Sequence, residues 1–206
     1  DKHPGEEIWI IGSGPSIDDF PKDFFDDKIS IALNGAIYKY PDVTYWYTFH
    51  TVWLKMAMNE NPEIFDKTFV TYMAHDKMAE NSILNKKGMM DRPYWVKVTT
   101  FKKDINEAVK ETLERIYNKE KDVGFSETGT VAHTAIEVAF LMGAKKITLV
   151  GCGHMPGPNG ERHGNIGIPH PTPPNPRAWT YEEKPLIYTT NLLAKELKNY
   201  GVRVRR

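Results

Sequence analysis

The residues with chemistry to offer gather in three short stretches and one long one. The first is Ile10-Ile11-Gly12-Ser13-Gly14-Pro15-Ser16. It follows an apolar run and opens a predicted helix. Gly12 and Gly14 let the backbone turn tightly and come close to a ligand. Pro15 suits the first helical position, where its missing N–H costs nothing. The N–H groups of Ser16 and its neighbours, Ser13 included, then face an anion, aided by the helix dipole, and phosphate fits best. The nicotinamide fingerprint G-x-G-x-x-G would need glycine at 17, where Ile17 stands. It also wants an acid at the end of the second strand, where Asn34 stands. No G-K-[ST] follows, so this is not a Walker loop. The plain alternative is a strand-to-helix turn that binds nothing.

Asn34-Gly35 is the second stretch. A neutral amide both donates and accepts, which suits a base or a ribose, although Asn-Gly is also a common turn pair. Ser126-Glu127-Thr128-Gly129-Thr130 is the third. Thr128 or Thr130 caps the apolar helix that follows, and Gly129 again permits close approach. This second helix start would face the same cleft, at the carboxyl ends of parallel strands. His133, one turn inside, reads as a core histidine.

The long stretch runs from Gly151 to Lys184, is rich in proline and glycine, and holds three of the seven histidines. A loop of this length inside a compact domain reads as a lid or substrate loop. His163, His170 and His154 are the candidate general bases, able to take a proton near neutral pH. Arg162 and Arg177 can neutralise a departing phosphate, and Tyr181 and Tyr188 can donate hydrogen bonds to it. Gly151 closes the strand before this loop and is a candidate nucleotide-binding residue beside the glycine turn. Zinc on Cys152, His154, His163 and His170 is the rival use of these side chains. The 152/154 spacing is tighter than the common two-residue gap, and no second motif backs it, so no metal site is assigned. Asp18 and Asp19 could hold Mg²⁺ through waters, or simply face the helix dipole. Tyr45 to Trp53 is strongly aromatic. Its first part reads as core, and residues 49 to 53, His50 among them, offer a stacking and contact surface past the strand.

These side chains need a frame. Apolar runs at Glu7–Ile11, Lys28–Leu33, Thr44–Phe49, Lys67–Tyr72 and Lys146–Val150 read as buried strands, with weaker ones at Tyr94–Val98 and Val202–Val204. Asp104–Lys119, Thr130–Met142 and Pro185–Tyr200 read as helices, the last two stopped by Gly143 and Gly201. Strands alternating with helices predict an α/β fold: one doubly wound, Rossmann-like parallel sheet with helices on both faces and a long Pro/Gly/His-rich lid. The 206 residues are expected to form a single domain, 1–206, with 151–184 as its substrate loop.

Composition narrows the partners. Twenty-seven basic residues balance 27 acidic ones, which argues against gripping nucleic acid through a broad basic surface. No apolar run approaches the roughly 18 residues that span a bilayer. One cysteine allows no internal disulfide and fits a reducing, cytoplasmic setting.

Taken together, I-I-G-S-G-P-S, A-L-N-G-A, T-G-T and A-F-L-M-G-A-K-K-I-T-L-V-G resemble a broad superfamily. It includes MptE-like proteins related to 6-hydroxymethylpterin diphosphokinase, small Rossmann-type bacterial sialyltransferases and many phage-encoded relatives, whose layout is the most similar. The resemblance covers residues 7 to 152. It implies a nucleotide-activated donor at the strand ends. In the sialyltransferase branch the corresponding positions hold a cytidine nucleotide; here they are Gly12, Gly14, Ser16, Asn34, Thr128, Gly129 and Thr130. That branch also uses a histidine base and tyrosines near the leaving phosphate. Many MptE-like relatives carry an acid where Gly153 stands, so acidic, Mg²⁺-dependent chemistry transfers poorly.

Three functions follow as expectations. The first is a glycosyltransferase-like enzyme that moves a sugar from a nucleotide sugar to a hydroxyl acceptor, with a loop histidine as base. The second is a diphosphokinase using ATP and Mg²⁺ on a small heterocycle. The third is a non-catalytic protein that binds or sequesters a nucleotide. The acceptor is open among a glycan, a small molecule and a modified nucleic-acid base, and an oligomer is compatible with all three.

Overall fold

The computed structural model describes residues 2–48, 50–60, 62–66, 68–73, 94–99, 104–121, 123–126, 128, 130–153, 157–159, 161, 163–168 and 183–206. Among the described residues there are eight strands: β1 (Glu7–Ile11), β2 (Ser30–Leu33), β3 (Tyr45–Thr48), β4 (Thr68–Met73), β5 (Tyr94–Thr99), β6 (Phe125–Ser126), β7 (Lys146–Val150) and β8 (Arg203–Arg205). They form one sheet in the order β6-β5-β4-β3-β2-β1-β7-β8, and every pairing is parallel. The α-helices among the described residues are α1 (Thr51–Glu60), α2 (Ile105–Tyr117), α3 (Val131–Leu141) and α4 (Glu183–Lys198).

A parallel sheet covered on both faces needs strands that are apolar on both faces. Ile8 and Ile10 of β1, Tyr45 and Tyr47 of β3, and Ile147 and Leu149 of β7 face one side. They pack there with Val109 and Leu113 of α2, Ile136 of α3 and Leu193 of α4. The alternate residues Ile11, Ala32, Trp46 and Val150 face the other side, with Ile17, Ile37 and Trp53. This is the two-residue period of a strand read twice over.

Helix α3 is buried from Val131 to Phe140. Its apolar residues run all the way round, as a helix enclosed by other elements requires. It packs on β1, β2 and β3 and is flanked by α2 and α4. Asp104 caps α2 by accepting from the N–H groups of Asn106 and Glu107.

The chain builds outward from β1 to β6 in one direction, then returns to place β7 on the other side of β1. The order therefore reverses between β1 and β7. In sheets of this type the crevice at the carboxyl ends of those two strands is where ligands bind.

The other face differs from the expectation in two ways. No α-helix follows the glycine turn. A 3-10 helix of five residues, Pro15–Asp19, stands there, and another, Asn34–Tyr38, follows β2. So short an element has little macrodipole to offer an anion. Helix α1 was not expected, and it draws Trp53 into the core at 2% exposure. Trp53 is therefore packing, not a stacking surface.

Among the described residues, no helix is long and apolar enough to cross a membrane.

Candidate functional site

The glycine turn and the end of β7 are locked together. Gly12 N–H donates to Val150 O (2.7 Å) and Gly14 N–H to Gly151 O (2.8 Å). Gly151 N–H donates in turn to Ser16 Oγ (3.1 Å). A Cβ on Gly12 would stand 2.4 Å from Gly151 O, and one on Gly14 2.7 Å from the same oxygen. Gly151 itself has φ +65°, and a Cβ there would sit 2.4 Å from Ile17 Cγ2. Mutual packing of two turns thus accounts for all three glycines without a ligand.

The loop after β7 folds back over this junction. Gly164 N–H donates to Ser13 O (2.8 Å). His163 Nδ1 lies 3.3 Å from Ser13 Oγ. Asn165 N–H donates to the Asp18 carboxylate (2.9 Å to Oδ1), which also pairs with Lys39 Nζ at 2.8 Å. Burial works against the Asp18 charge, but the Lys39 ammonium and the Asn165 N–H outweigh it and hold the pKa below the ordinary value. Both partners of Asp18 are protein groups. Lys39 and the Tyr40 hydroxyl also donate to Ile17 O, at 2.9 and 2.7 Å, which fixes the 3-10 helix from beneath.

At the end of β2, Asn34 takes the left-handed conformation, φ +50°, which asparagine tolerates better than most residues. Its carbonyl accepts from Trp46 Nε1 (2.8 Å), and its Oδ1 accepts from the Thr48 hydroxyl (2.8 Å). Thr48 is fully buried and accepts from His50 N–H at 3.3 Å. Gly35 is packed closely by side chains. A Cβ there would meet Trp53 at 2.4 Å and Ile166 at 2.8 Å. Exposed His50 starts α1, its carbonyl accepting from Trp53 N–H (3.1 Å).

The start of α3 is built differently. Thr130 caps the helix through Ala132 N–H (3.5 Å). Thr128 is buried, and its hydroxyl has no hydrogen-bond partner among the described residues. His133 is fully buried. Its Nδ1 lies 3.0 Å from Thr128 O, and its Nε2 lies 3.1 Å from Leu186 O and 3.0 Å from Thr190 Oγ1. It ties the start of α3 to the first turns of α4, as a satisfied core histidine.

The structure therefore joins Ser13, Ser16, Gly151 and His163 in one cluster, and Asn34, Thr48 and His50 in another. Both stand at the carboxyl edge of the sheet. Ile166, 2% exposed, packs in the same core cluster as Ile17 and Trp53 and so links the loop to both sides. Thr128 and Thr130 share that edge, but no described hydrogen bond joins them to residues 12–16. Tyr188 lies in a groove between α2 and α4, where its hydroxyl donates to Asn106 Oδ1 (2.7 Å) rather than to the glycine turn. His154, His170, Tyr181, Gly129, Arg162 and Arg177 lie outside the described residues.

Two groups were not foreseen. Thr48 reads in sequence only as a good strand residue. Glu137 lies inside α3 with its carboxyl fully buried. It accepts from Ser126 N–H (3.0 Å) and meets the Ser126 hydroxyl in a short contact. Burial raises its pKa to about 8, against the hydrogen bonds from Ser126 that lower it. One acid in a largely apolar helix was the signal available. Cys152 is buried, its thiol directed at Val150 O (3.4 Å), and burial raises its pKa to about 12. Among the described residues no group of three His, Cys, Asp or Glu could hold a metal ion.

No family model matches the chain, and no curated protein matches it in sequence. The fold does have solved counterparts. One is the sialyltransferase CstII from Campylobacter jejuni in complex with cytidine-5'-monophosphate, a substrate analogue. It is 14% identical, with a TM-score of 0.52, over 98% of this chain and 79% of that one. The same enzyme with CMP-3FNeuAc aligns at 12% identity and a TM-score of 0.49, over 97% and 79% of the two chains. At this identity the likeness establishes a shared Rossmann-like fold.

Proposed function

We propose that the chain is a glycosyltransferase-like enzyme that moves a sugar from a nucleotide-activated donor to a hydroxyl acceptor. One observation carries most weight. The loop after β7 delivers His163 to Ser13, with Nδ1 3.3 Å from Oγ, at the place where the strand order reverses. A candidate base and a candidate phosphate turn, 150 residues apart in sequence, meet where a donor would lie. The fold shared with a transferase captured with a cytidine nucleotide points the same way and makes CMP the first nucleotide to try.

The chemistry is a single displacement. His163 takes the proton of the acceptor hydroxyl as that oxygen attacks the anomeric carbon. The bond from that carbon to the phosphate oxygen breaks, and its electron pair leaves with the nucleotide. The sugar carbon inverts. The turn at Ser13–Ser16 and the amide of Asn34 hold the nucleotide. Arg162, Arg177 and Tyr181 supply charge and donors to the departing phosphate, and His154 and His170 are the other bases the loop offers. The chain works as one nucleotide-binding domain with 151–184 as its substrate loop.

Thermal melting against a nucleotide panel tests the donor class. Saturation at 100 times Kd adds about 2.7 kcal/mol of stability, which a melting curve resolves. CMP or a nucleotide sugar should raise Tm. A response confined to ATP with Mg²⁺ would instead identify a kinase of small heterocycles, and binding without turnover a sequestering protein. With a donor found, His163→Ala should slow transfer about 100-fold or more while leaving donor affinity near wild type. An unchanged rate would remove His163 from the chemistry.

A further inference from the structure

The loop after β7 is fastened to the glycine turn at three consecutive residues. Gly164 N–H donates to Ser13 O (2.8 Å). The residue lies so close to the short helix that a Cβ on it would stand 2.5 Å from Ile17 Cγ1 and 3.1 Å from Gly14 O. Ile166, buried, packs in the same core cluster as Ile17. Between them, Asn165 N–H donates to both carboxylate oxygens of Asp18, at 2.9 and 3.1 Å. Asn165 Oδ1 in turn accepts from Gly167 N–H (2.9 Å), where the backbone turns with φ +83°. Lys39 Nζ holds Asp18 from the other side at 2.8 Å and also donates to Ile17 O. An N–H facing a carboxylate makes a charge-assisted bond, stronger than the neutral bond of Gly164. His163 immediately precedes this run, with Nδ1 3.3 Å from Ser13 Oγ.

We infer that Asp18 is a positioning residue for the base. Its carboxylate fixes the backbone two residues after His163, and so keeps that imidazole against the glycine turn. The residue types alone offer Asp18 a water-bridged Mg²⁺ or a helix dipole. Its contacts give it a third task, which is to fasten the loop. Asp18 touches no reacting atom and acts through Asn165 and His163. This rests on the general-base role proposed above for His163 and names the group that aims it.

Amide hydrogen exchange of the full chain, read residue by residue, tests it. Gly164 N–H is the reporter, because its own acceptor, Ser13 O, is untouched by a change at position 18. Asp18→Ala removes a half-exposed charged acceptor. It should speed exchange at Gly164 about 5- to 10-fold while β1 and α3 keep wild-type rates. Asp18→Asn retains an acceptor oxygen and should bring exchange back to within about threefold of wild type. With CMP-NeuAc as donor and CMP release as the readout, Asp18→Ala should lower kcat about 5- to 10-fold and leave KM within about twofold. On a His163→Ala background the same change should alter kcat less than about twofold, because no base remains to aim. Wild-type exchange at Gly164 in Asp18→Ala, faster exchange throughout the chain, or an equal loss of kcat with and without His163 overturns the inference while leaving the proposed transfer intact. Full activity in His163→Ala, or a wild-type chain that turns over neither CMP-NeuAc nor any other nucleotide sugar, overturns the proposed function, and this inference with it.

Discussion

At the scale of single residues, the glycines show how a motif is read correctly in place and differently in cause. Gly12, Gly14 and Gly151 stand where a phosphate turn belongs. Each is nevertheless required because backbone presses on backbone: a Cβ on Gly12 would lie 2.4 Å from Gly151 O. Backbone oxygens in a sheet junction do not step aside cheaply. Gly12→Ala should therefore cost about 1–3 kcal/mol of stability, lowering Tm by roughly 3–10 °C in a chain of this size. Gly153 is the internal control, since a Cβ there meets nothing within 4 Å among the described residues and its φ lies outside the left-handed region. Gly153→Ala should leave Tm unchanged or raise it slightly. Equal losses in the two variants would show that the packing of the turns is not what the glycines serve. The contact between Thr48 and Asn34 was hidden for a related reason. Threonine is favoured in strands whatever its hydroxyl does, and only the neighbouring strand end reveals the partner.

At the scale of elements, the sequence is most informative where burial is one-sided or complete. Five-residue apolar runs gave β1 and β7 their bounds, and the all-round apolar α3 was evident within a residue at each end. The two-residue β6 has no periodicity to find. Helix α1 follows β3 directly and carries Trp53 and Leu54 into the core, so its apolar residues blend with those of the strand. Glu137 belongs to this scale because it joins α3 to β6 through Ser126. Its pKa of about 8 in the folded chain lies above the ordinary 4.5. Between those values the native state keeps a proton that the unfolded chain has released. Stability must then fall as pH rises from about 4.5 to about 8. Glu137→Gln can keep both Ser126 partners without titrating, and should flatten this dependence. Denaturant unfolding at pH 5, 6, 7 and 8 checks it. Parallel pH profiles for wild type and variant would mean that Glu137 is already ionised in the fold.

At the scale of the molecule, the parallel sheet and its double winding were legible from the alternation of strands and helices. What alternation cannot give is strand order, and the order places the reversal between β1 and β7. That reversal brings the glycine turn, the end of β7 and the loop with His163 to one edge. Sequence distance concealed the meeting of Ser13 and His163, because long-range pairing leaves no local signal. The account stands on a nucleotide being held at this edge. A crystal structure of the chain with CMP tests it most directly. The nucleotide should lie at the carboxyl ends of β1, β2 and β7, with Ser13 and Asn34 in contact. CMP found elsewhere, for instance in the groove between α2 and α4, or an edge that stays empty at saturating CMP, would contradict it.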